Sequence, residues 1–423
     1  MRKYISSFFG EFFKLTLIAI FIGILIGLYR YMVIFVINLS STLFSIRDPY
    51  PFLILYTLSI AIILILFSFV ILTKEPSIRG SGINALAHHF KTKERNIKWY
   101  IALPGMFFNS LITFFLGIPL GCEAPSTFMS AMVGYAFDDI SRKDNSIDDI
   151  KLSMGAGFAC AFLSPLGGIF YPFEEQKAKL NVQNILKAIY MSFLAYFISE
   201  SINDYHLIRI PLNDQFDFNI WPVIFIAITL IVIISLILMK TAKLINKLLI
   251  KYEDRWFIKY RFHIVSIISI LLLMFFPAVT GTGLGIITKL TKHPAYYLII
   301  IWLIARTILF LLGVYSTASG GAYGTGVTLG GLVGYTAIII GSTFMDISQT
   351  QALIIMTISS CAMFGTMNKA PLTGLGLLIT IGHYSNFLNY ALIAAIIIFG
   401  SYTIMHLTGI YGPVFNKKEK IVQ

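Results

Sequence analysis

Gly121-Cys122-Glu123-Ala124-Pro125-Ser126 places a single carboxylate in a short Gly/Pro break between two long apolar runs. A charge at the depth of a hydrocarbon core costs ~2.5–3.5 kcal/mol or more unless it is hydrated, paired or protonated. Glu123 is therefore a candidate functional residue before anything else about the chain is considered. Two further breaks share its glycine-rich character and carry no charge: Gly80-Ser81-Gly82-Ile83-Asn84 and Ser319-Gly320-Gly321-Ala322-Tyr323-Gly324-Thr325.

The surroundings of these breaks are membrane in composition. Of the 423 residues, 57% are hydrophobic and only 12% charged, where soluble domains run near 25% charged. The fold class expected is an all-α polytopic membrane protein with many short, tilted and broken helices. The amphipathic start, Met1 to Lys14, lacks a small-residue cleavage site, and the run from about Leu15 to Ile37 reads as a retained first span. The three cysteines, Cys122, Cys160 and Cys361, show no ligand or disulfide spacing, and no metal site or cofactor motif is present.

The net charge of +12 reflects topology rather than nucleic-acid binding. The basic residues sit in short connectors: Lys91 to Arg95, Arg142-Lys143, Lys177 and Lys179, Lys240 to Arg261, and Lys417 to Lys420. The connector Ser201 to Asn219 holds only Arg209 against Asp204, Asp214 and Asp217. The positive-inside rule places the basic connectors and both termini in the cytoplasm, in a cell inner or plasma membrane, and the 201–219 connector outside.

Apolar segments fall at about 12–37, 52–72, 101–119, 126–137, 152–171, 187–200, 221–246, 262–277, 296–314, 327–343, 350–365, 371–381 and 388–407. Several are shorter than the roughly 20 residues needed to cross the hydrocarbon core. The breaks also recur. Gly80-Ser-Gly-Ile83, Gly121-Cys-Glu-Ala-Pro125 and Ser164-Pro165-Leu166-Gly167-Gly168 are followed, in order, by Gly281-Thr-Gly-Leu284, Gly320-Gly-Ala-Tyr-Gly324 and Ala370-Pro371-Leu372-Thr373-Gly374. Gly80 and Gly281 stand 201 positions apart, and Pro165 and Pro371 stand 206 apart. Paired interruptions of this kind predict two halves, residues 1–200 and 201–423, with a site between them near the bilayer midplane. The second half ends in a short cytosolic tail.

In these stretches the chain resembles the CLC family of chloride channels and chloride/proton antiporters, in its bacterial type without cytosolic CBS domains. That family shows G-S-G-I-P, G-[R/K]-E-G-P and G-x-F-x-P in this order. Here they stand as Gly80 to Asn84, Gly121 to Pro125 and Gly321 to Thr325. Ala161 to Gly168 ahead of Glu174-Glu175, Ala305-Arg306, and Lys369 to Gly374 are also similar, so the resemblance runs from about residue 15 to 410. It implies an inverted-repeat fold, a homodimer with one pore per subunit, and chloride and protons as the transported ligands in a lipid bilayer.

Chemistry and resemblance then assign roles together. Gly-rich breaks opening helices present backbone N–H groups with partial positive charge, which hold an anion without a full cation. Such a site lets the ion leave as readily as it enters. The resemblance makes Ser81, Gly82, Ile83, Ala322, Tyr323 and Tyr384 the anion-binding set, with hydroxyls from Ser81 and Tyr384; Tyr390 competes with Tyr384. A helix N-cap is the plainer role for Ser81. Glu123 becomes a protonatable external gate, occupying the anion site as carboxylate and leaving it as acid. Glu175 matches the internal proton-transfer glutamate, with an interfacial pair of Glu174 and Glu175 against Lys177 and Lys179 as the plainer reading.

Departures from the family pattern bear on selectivity. Cys122 replaces the usual basic residue, so the outer vestibule is expected to be less positive. Asn84 and Thr325 replace prolines, as residue types competent to cap helices. Ala322 and Gly324 thin the apolar lining, and Met106 stands where some relatives carry lysine. Serine at position 81 favours chloride over fluoride or nitrate. The alternatives to a chloride/proton antiporter are a passive voltage- or pH-gated CLC-type anion channel, an exchanger of another small anion, an intramembrane enzyme with Ser81 as nucleophile and a histidine such as His383 as base, and a non-transporting scaffold.

Overall fold

The computed structural model describes residues 2–44, 51–92, 97–141, 147–203, 220–276, 280–281, 283, 299–381 and 387–409. Up to residue 203 run α1 (Arg2–Leu43), α2 (Pro51–Lys74), a 3-10 turn (Pro76–Ile78), α3 (Ile83–Thr92), α4 (Trp99–Phe115), α5 (Glu123–Ser141), α6 (Ile147–Phe162), α7 (Pro165–Glu174) and α8 (Val182–Ile202). After it follow α9 (Trp221–Lys251), α10 (Trp256–Lys259), α11 (Arg261–Phe275), α12 (Ile299–Tyr315), α13 (Tyr323–Gly341), α14 (Gln349–Asn368), α15 (Pro371–Ile381) and α16 (Phe387–Leu407).

Among the described residues, six helices are long and apolar enough to cross a membrane by length and composition, and others are too short. Burial separates them into layers. In α13 and α14, 83% and 78% of the most apolar window is enclosed by protein, against 28% in α2 and in α8. The outer helices instead expose Ile62, Ile63, Leu66 and Phe67 on α2 and Phe225, Ile233 and Ile237 on α9, as lipid-facing surfaces do.

The inner helices approach closely because small residues line their contacts. A side chain at Gly134 of α5 would run into Ser153 of α6, and one at Gly157 of α6 into Ser130 of α5. The same arrangement recurs two hundred residues later, where Gly334 and Gly330 of α13 meet Ser359 and Ser360 of α14. The backbone repeats as well. Left-handed φ values occur in matched pairs: +62° at Gly80 and +61° at Gly281, +71° at Gly82 and +76° at Gly283, +70° at both Gly117 and Thr317, and +50° at Leu163 and +58° at Lys369. The paired interruptions noted in the sequence are thus paired turns of the same local shape.

One boundary differs from the hydropathy reading. The apolar run 152–171 is two helices, α6 and α7, separated by Leu163 and Ser164. Ser164 caps α7, its Oγ accepting the Gly167 N–H at 3.1 Å and donating to the Gly376 carbonyl at 3.0 Å, while Pro165 occupies the first helical position. Pro165 tolerates that position because its missing N–H would have had no helical partner. The charged ends of several helices meet on one side. Lys14 of α1 pairs with Asp138 of α5 at 3.1 Å, and Lys187 of α8 pairs with Asp149 of α6 at 3.1 Å and with Glu11 of α1 at 2.5 Å.

Gly82 shows how tightly the breaks are held. Its φ excludes ordinary side chains, and a Cβ there would overlap the Phe128 ring of α5, whereas nothing lies within 4 Å of the same position on Gly80. Gly80→Ala should cost the ~1–2 kcal/mol of left-handed strain alone, and Gly82→Ala distinctly more. Thermal midpoints of the two variants in detergent check this; equal midpoints would contradict the packing described.

Candidate functional site

The three breaks are fastened to one another by backbone hydrogen bonds. Gly121 donates to the Gly321 carbonyl at 2.7 Å and Gly321 donates back to the Gly121 carbonyl at 2.9 Å. Gly320 donates to the Gly80 carbonyl at 2.9 Å, and Gly80 to the Thr317 carbonyl at 3.3 Å. A matching bond runs from Gly281 to the Gly117 carbonyl at 3.0 Å. The starts of α3, α5 and α13 therefore leave a single joint. Asn109 of α4 ties the joint to its neighbours, donating to Ser319 Oγ at 2.8 Å, while Ser319 donates to the Ile78 carbonyl at 2.8 Å.

Glu123 is the first residue of α5 and is fully buried. Its Oε2 accepts the Gly324 N–H at 3.0 Å, so the carboxylate lies on the first turn of α13. The first N–H groups of a helix have no intrahelical carbonyl and carry the positive end of its dipole. The carboxylate fills the space that side chains on Gly121 and Gly324 would take, since a Cβ on either would overlap its oxygens. Gly324, which the sequence offered only as a thinning of the lining, is thus the residue that leaves room for the Glu123 carboxylate. The other oxygen, Oε1, is buried without a hydrogen-bond partner among the described residues.

A buried cation stands near this carboxylate. Arg30 of α1 is 5% exposed, donates to the Asn203 carbonyl at 3.3 Å, and lies within Coulombic range of both Cys122 and Glu123. Cys122, standing where the family pattern has a basic residue, leaves this region one positive charge short. The structure supplies one from α1, about ninety residues earlier in the chain. No local pattern around Arg30 pointed to it.

The remaining expected site residues divide into three groups. Ser81, half-buried, accepts the Ile83 N–H on its Oγ at 3.3 Å, so it supports the start of α3 while its hydroxyl proton stays available. Ala322 is the N-cap of α13 and makes no side-chain cap bond. Thr325 lies inside the helix, its Oγ1 donating to the Ala322 carbonyl at 3.1 Å, and Asn84 is the exposed second residue of α3; neither acts as a cap. Tyr384 and His383 lie outside the described residues, as does the side chain of Tyr390.

The two adjacent glutamates have different partners. Glu174 accepts the Leu372 N–H at 2.9 Å and the Thr373 N–H and hydroxyl at 2.7 Å each, and so caps the start of α15. Glu175 accepts the Tyr323 hydroxyl on Oε1 at 2.5 Å. Lys151 and the backbone N–H of Lys179 are instead engaged by Asp148, at 4.0 Å and 3.3 Å. Glu175 is thereby joined to the third break through Tyr323, whose neighbour Gly324 holds Glu123.

Together these features define a helical membrane protein with an anion-type site at converging helix starts. The profile of the family described as voltage-gated chloride channels matches residues 63–405. The chain belongs to this CLC family. Among curated relatives it is 25% identical over 367 residues to the H(+)/Cl(-) exchange transporter ClcA of Vibrio campbellii, covering 82% of this chain and 75% of that one. It is 27% identical over 333 residues to ClcA of Vibrio cholerae, covering 76% and 70%. Two solved structures share the fold. A slow cyanobacterial Cl-/H+ antiporter has a TM-score of 0.78 at 19% identity, covering 94% of this chain and 97% of its own. A CLC-type fluoride/proton antiporter has a TM-score of 0.76 at 15% identity, covering 92% and 95%.

The division between the glutamates is testable by stability. Glu174→Gln weakens a charge-assisted cap and should lower stability by about 0.5–2 kcal/mol, whereas Glu175→Gln, which keeps an acceptor for Tyr323, should change it less. Thermal unfolding of both variants in detergent distinguishes them; the reverse order would contradict the assignment.

Proposed function

We propose that the chain moves chloride across a membrane through the joint of α3, α5 and α13 and exchanges it for protons, with Glu123 as the gate. The observation that carries this reading is the Glu123 carboxylate seated on the first turn of α13. A carboxylate and a small anion compete for the same donors. As carboxylate, Glu123 excludes the anion. When a proton neutralises it, the attraction to the N–H groups weakens, the side chain leaves, and an anion can take its place. The helix N-termini favour the anion without a permanent cation at the seat itself, so release is not blocked by overly tight binding.

The Ser81 hydroxyl, with Gly82 and Ile83 at the start of α3, supplies the other side of the anion path, with Ala322 and Tyr323 lining it, and Tyr384 completing it from outside the described residues. Glu175 is the proton entry from the side that carries the Lys14–Asp138 and Lys187–Asp149 pairs, which we take as cytoplasmic. The curated relatives are named as chloride/proton exchangers, which supports exchange over passive conduction. Residues 1–200 and 201–423 act as the two halves around the site; the paired left-handed turns support that division. Two copies, each with its own pore, form the working unit in a plasma or inner membrane. The transported ions are the only ligands this mechanism needs, and it involves no enzymatic step.

In reconstituted vesicles, a chloride gradient should drive proton movement in the opposite direction, and flux should rise as pH falls and Glu123 is protonated. Glu123→Gln mimics the neutral gate, so chloride flux should persist while proton coupling and pH dependence disappear. Chloride flux without any proton movement in the wild-type protein would instead establish a passive channel.

A further inference from the structure

We propose that the Tyr323 hydroxyl, in series with that of Tyr171, is the relay that carries protons from Glu175 toward Glu123. This rests on the exchange function proposed above and assigns residues to its proton path. Four polar groups form a continuous chain. Gln176 Nε2 donates to the Tyr171 hydroxyl at 3.0 Å, the hydroxyls of Tyr171 and Tyr323 are 3.1 Å apart, and Tyr323 donates to Glu175 Oε1 at 2.5 Å. Because the Tyr323 proton is committed to Glu175, Tyr171 must be the donor to Tyr323. All the donors therefore point toward Glu175, the polarity expected when that carboxyl is ionised.

The far end of the chain approaches the gate. Thr127 lies beside the Tyr171 hydroxyl and donates its own proton to the Ala124 carbonyl at 2.8 Å, which leaves its oxygen able to accept. Thr127 is four residues along α5 from Glu123, on the same face and ~6 Å away by helical rise. One water molecule bridges such a gap. Tyr323 also leads directly into Gly324, whose N–H holds the gate. The relay and the seat of the gate are consecutive residues of one helix start.

The rings are fixed in place, so the hydroxyl positions are fixed too. Tyr171 stacks on Phe158 with centroids 4.6 Å apart, and Tyr323 meets the edge of Phe364 at 5.5 Å. Both tyrosines are buried among these apolar rings, where a hydroxyl with no function would be better replaced by phenylalanine. At position 323 the family pattern itself carries phenylalanine, so this hydroxyl is an addition of this chain.

The transfer balances. A proton arriving at Glu175 makes the carboxylic acid; the hydroxyls of Tyr323 and Tyr171 then turn, Tyr323 toward Tyr171 and Tyr171 toward Thr127, and the acid donates to the Tyr323 oxygen. Tyr323 passes its own proton to the Tyr171 oxygen, and Tyr171 passes its proton toward Thr127 and a bridging water. Each hydroxyl ends with one proton, directed once more toward Glu175, and one proton has advanced toward the Glu123 carboxylate. No tyrosinate is needed.

The test uses the full-length protein in phosphatidylethanolamine/phosphatidylglycerol vesicles, comparing wild type, Tyr323→Phe, Tyr171→Phe, Glu123→Gln and the Tyr171→Phe/Glu123→Gln double variant. Tyr323→Phe should slow chloride-driven proton movement roughly tenfold or more, the scale of losing a positioned proton-transfer group, and should flatten the pH profile of exchange. Tyr171→Phe should slow proton movement likewise, and chloride flux in the Tyr171→Phe/Glu123→Gln double variant should equal that of Glu123→Gln alone, because Tyr171 does not line the anion path. Proton movement within twofold of wild type in Tyr323→Phe would overturn the relay. Loss of chloride flux in the Tyr171→Phe/Glu123→Gln double variant relative to Glu123→Gln would overturn it as well, by assigning Tyr171 a structural role. Absence of proton movement in wild type would remove the exchange function itself, a result distinct from either.

Discussion

The N–H groups at the start of α13, held in the middle of an apolar body, are the constraint on which the rest of the molecule depends. Their dipoles need a negative partner, and here the partner is the Glu123 carboxylate at 3.0 Å from the Gly324 nitrogen. A helix start at that depth is tolerated only where protein encloses it or a wet path reaches it. The enclosing protein is built for that purpose: α13 and α14 pack through Gly330 and Gly334 against Ser359 and Ser360, and α5 and α6 through Gly134 and Gly157 against Ser153 and Ser130. Close packing by small residues leaves little freedom for the helix axes. The N-terminal donors are consequently held in place before any ion arrives.

Glycine at the breaks serves two physical ends. At Gly82 it permits a left-handed turn pressed against Phe128. At Gly121 and Gly324 it leaves the volume that the Glu123 carboxylate occupies. The exchange of hydrogen bonds between Gly121 and Gly321 joins the second and third breaks without any side chain. The site is thus made from backbone, and its selectivity on the proposed reading comes from helix dipoles and one mobile carboxylate. Arg30 adds a buried positive charge nearby without occupying the seat.

Much of this was legible in the sequence, because the features that mark the site are local. A carboxylate flanked by glycine and proline, and glycine-rich breaks recurring about 200 residues apart, are visible without coordinates. The matched left-handed turns at Gly80 and Gly281, Gly117 and Thr317, and Leu163 and Lys369 are the three-dimensional form of that recurrence. The division of 152–171 into α6 and α7 was not legible by hydropathy, since both pieces are apolar and only Ser164-Pro165 marks the turn. Arg30 could not be placed either, because its approach to Cys122 depends on how α1 packs against α5. The different duties of Glu174 and Glu175 were hidden for the same reason. The sequence shows two adjacent acids near lysines, whereas the fold directs one to the start of α15 and the other to Tyr323.

The departures from the family pattern at the third break now have a common physical consequence. A phenylalanine at 323 would fill the same volume as the tyrosine ring and meet Phe158 and Phe364 in the same way, but would leave Glu175 without the hydroxyl it accepts at 2.5 Å. A larger residue at 324 would push the Glu123 carboxylate off the α13 start. Tyr323 and Gly324 are therefore complementary: one ties Glu175 to the helix start, and the other seats Glu123 on it. The two acids approach the same helix from different helices, α5 and the end of α7, and are linked through adjacent residues of one turn. On the proposed reading, this is why coupling between anion and proton needs no large movement: the groups that exchange them share a single helix start.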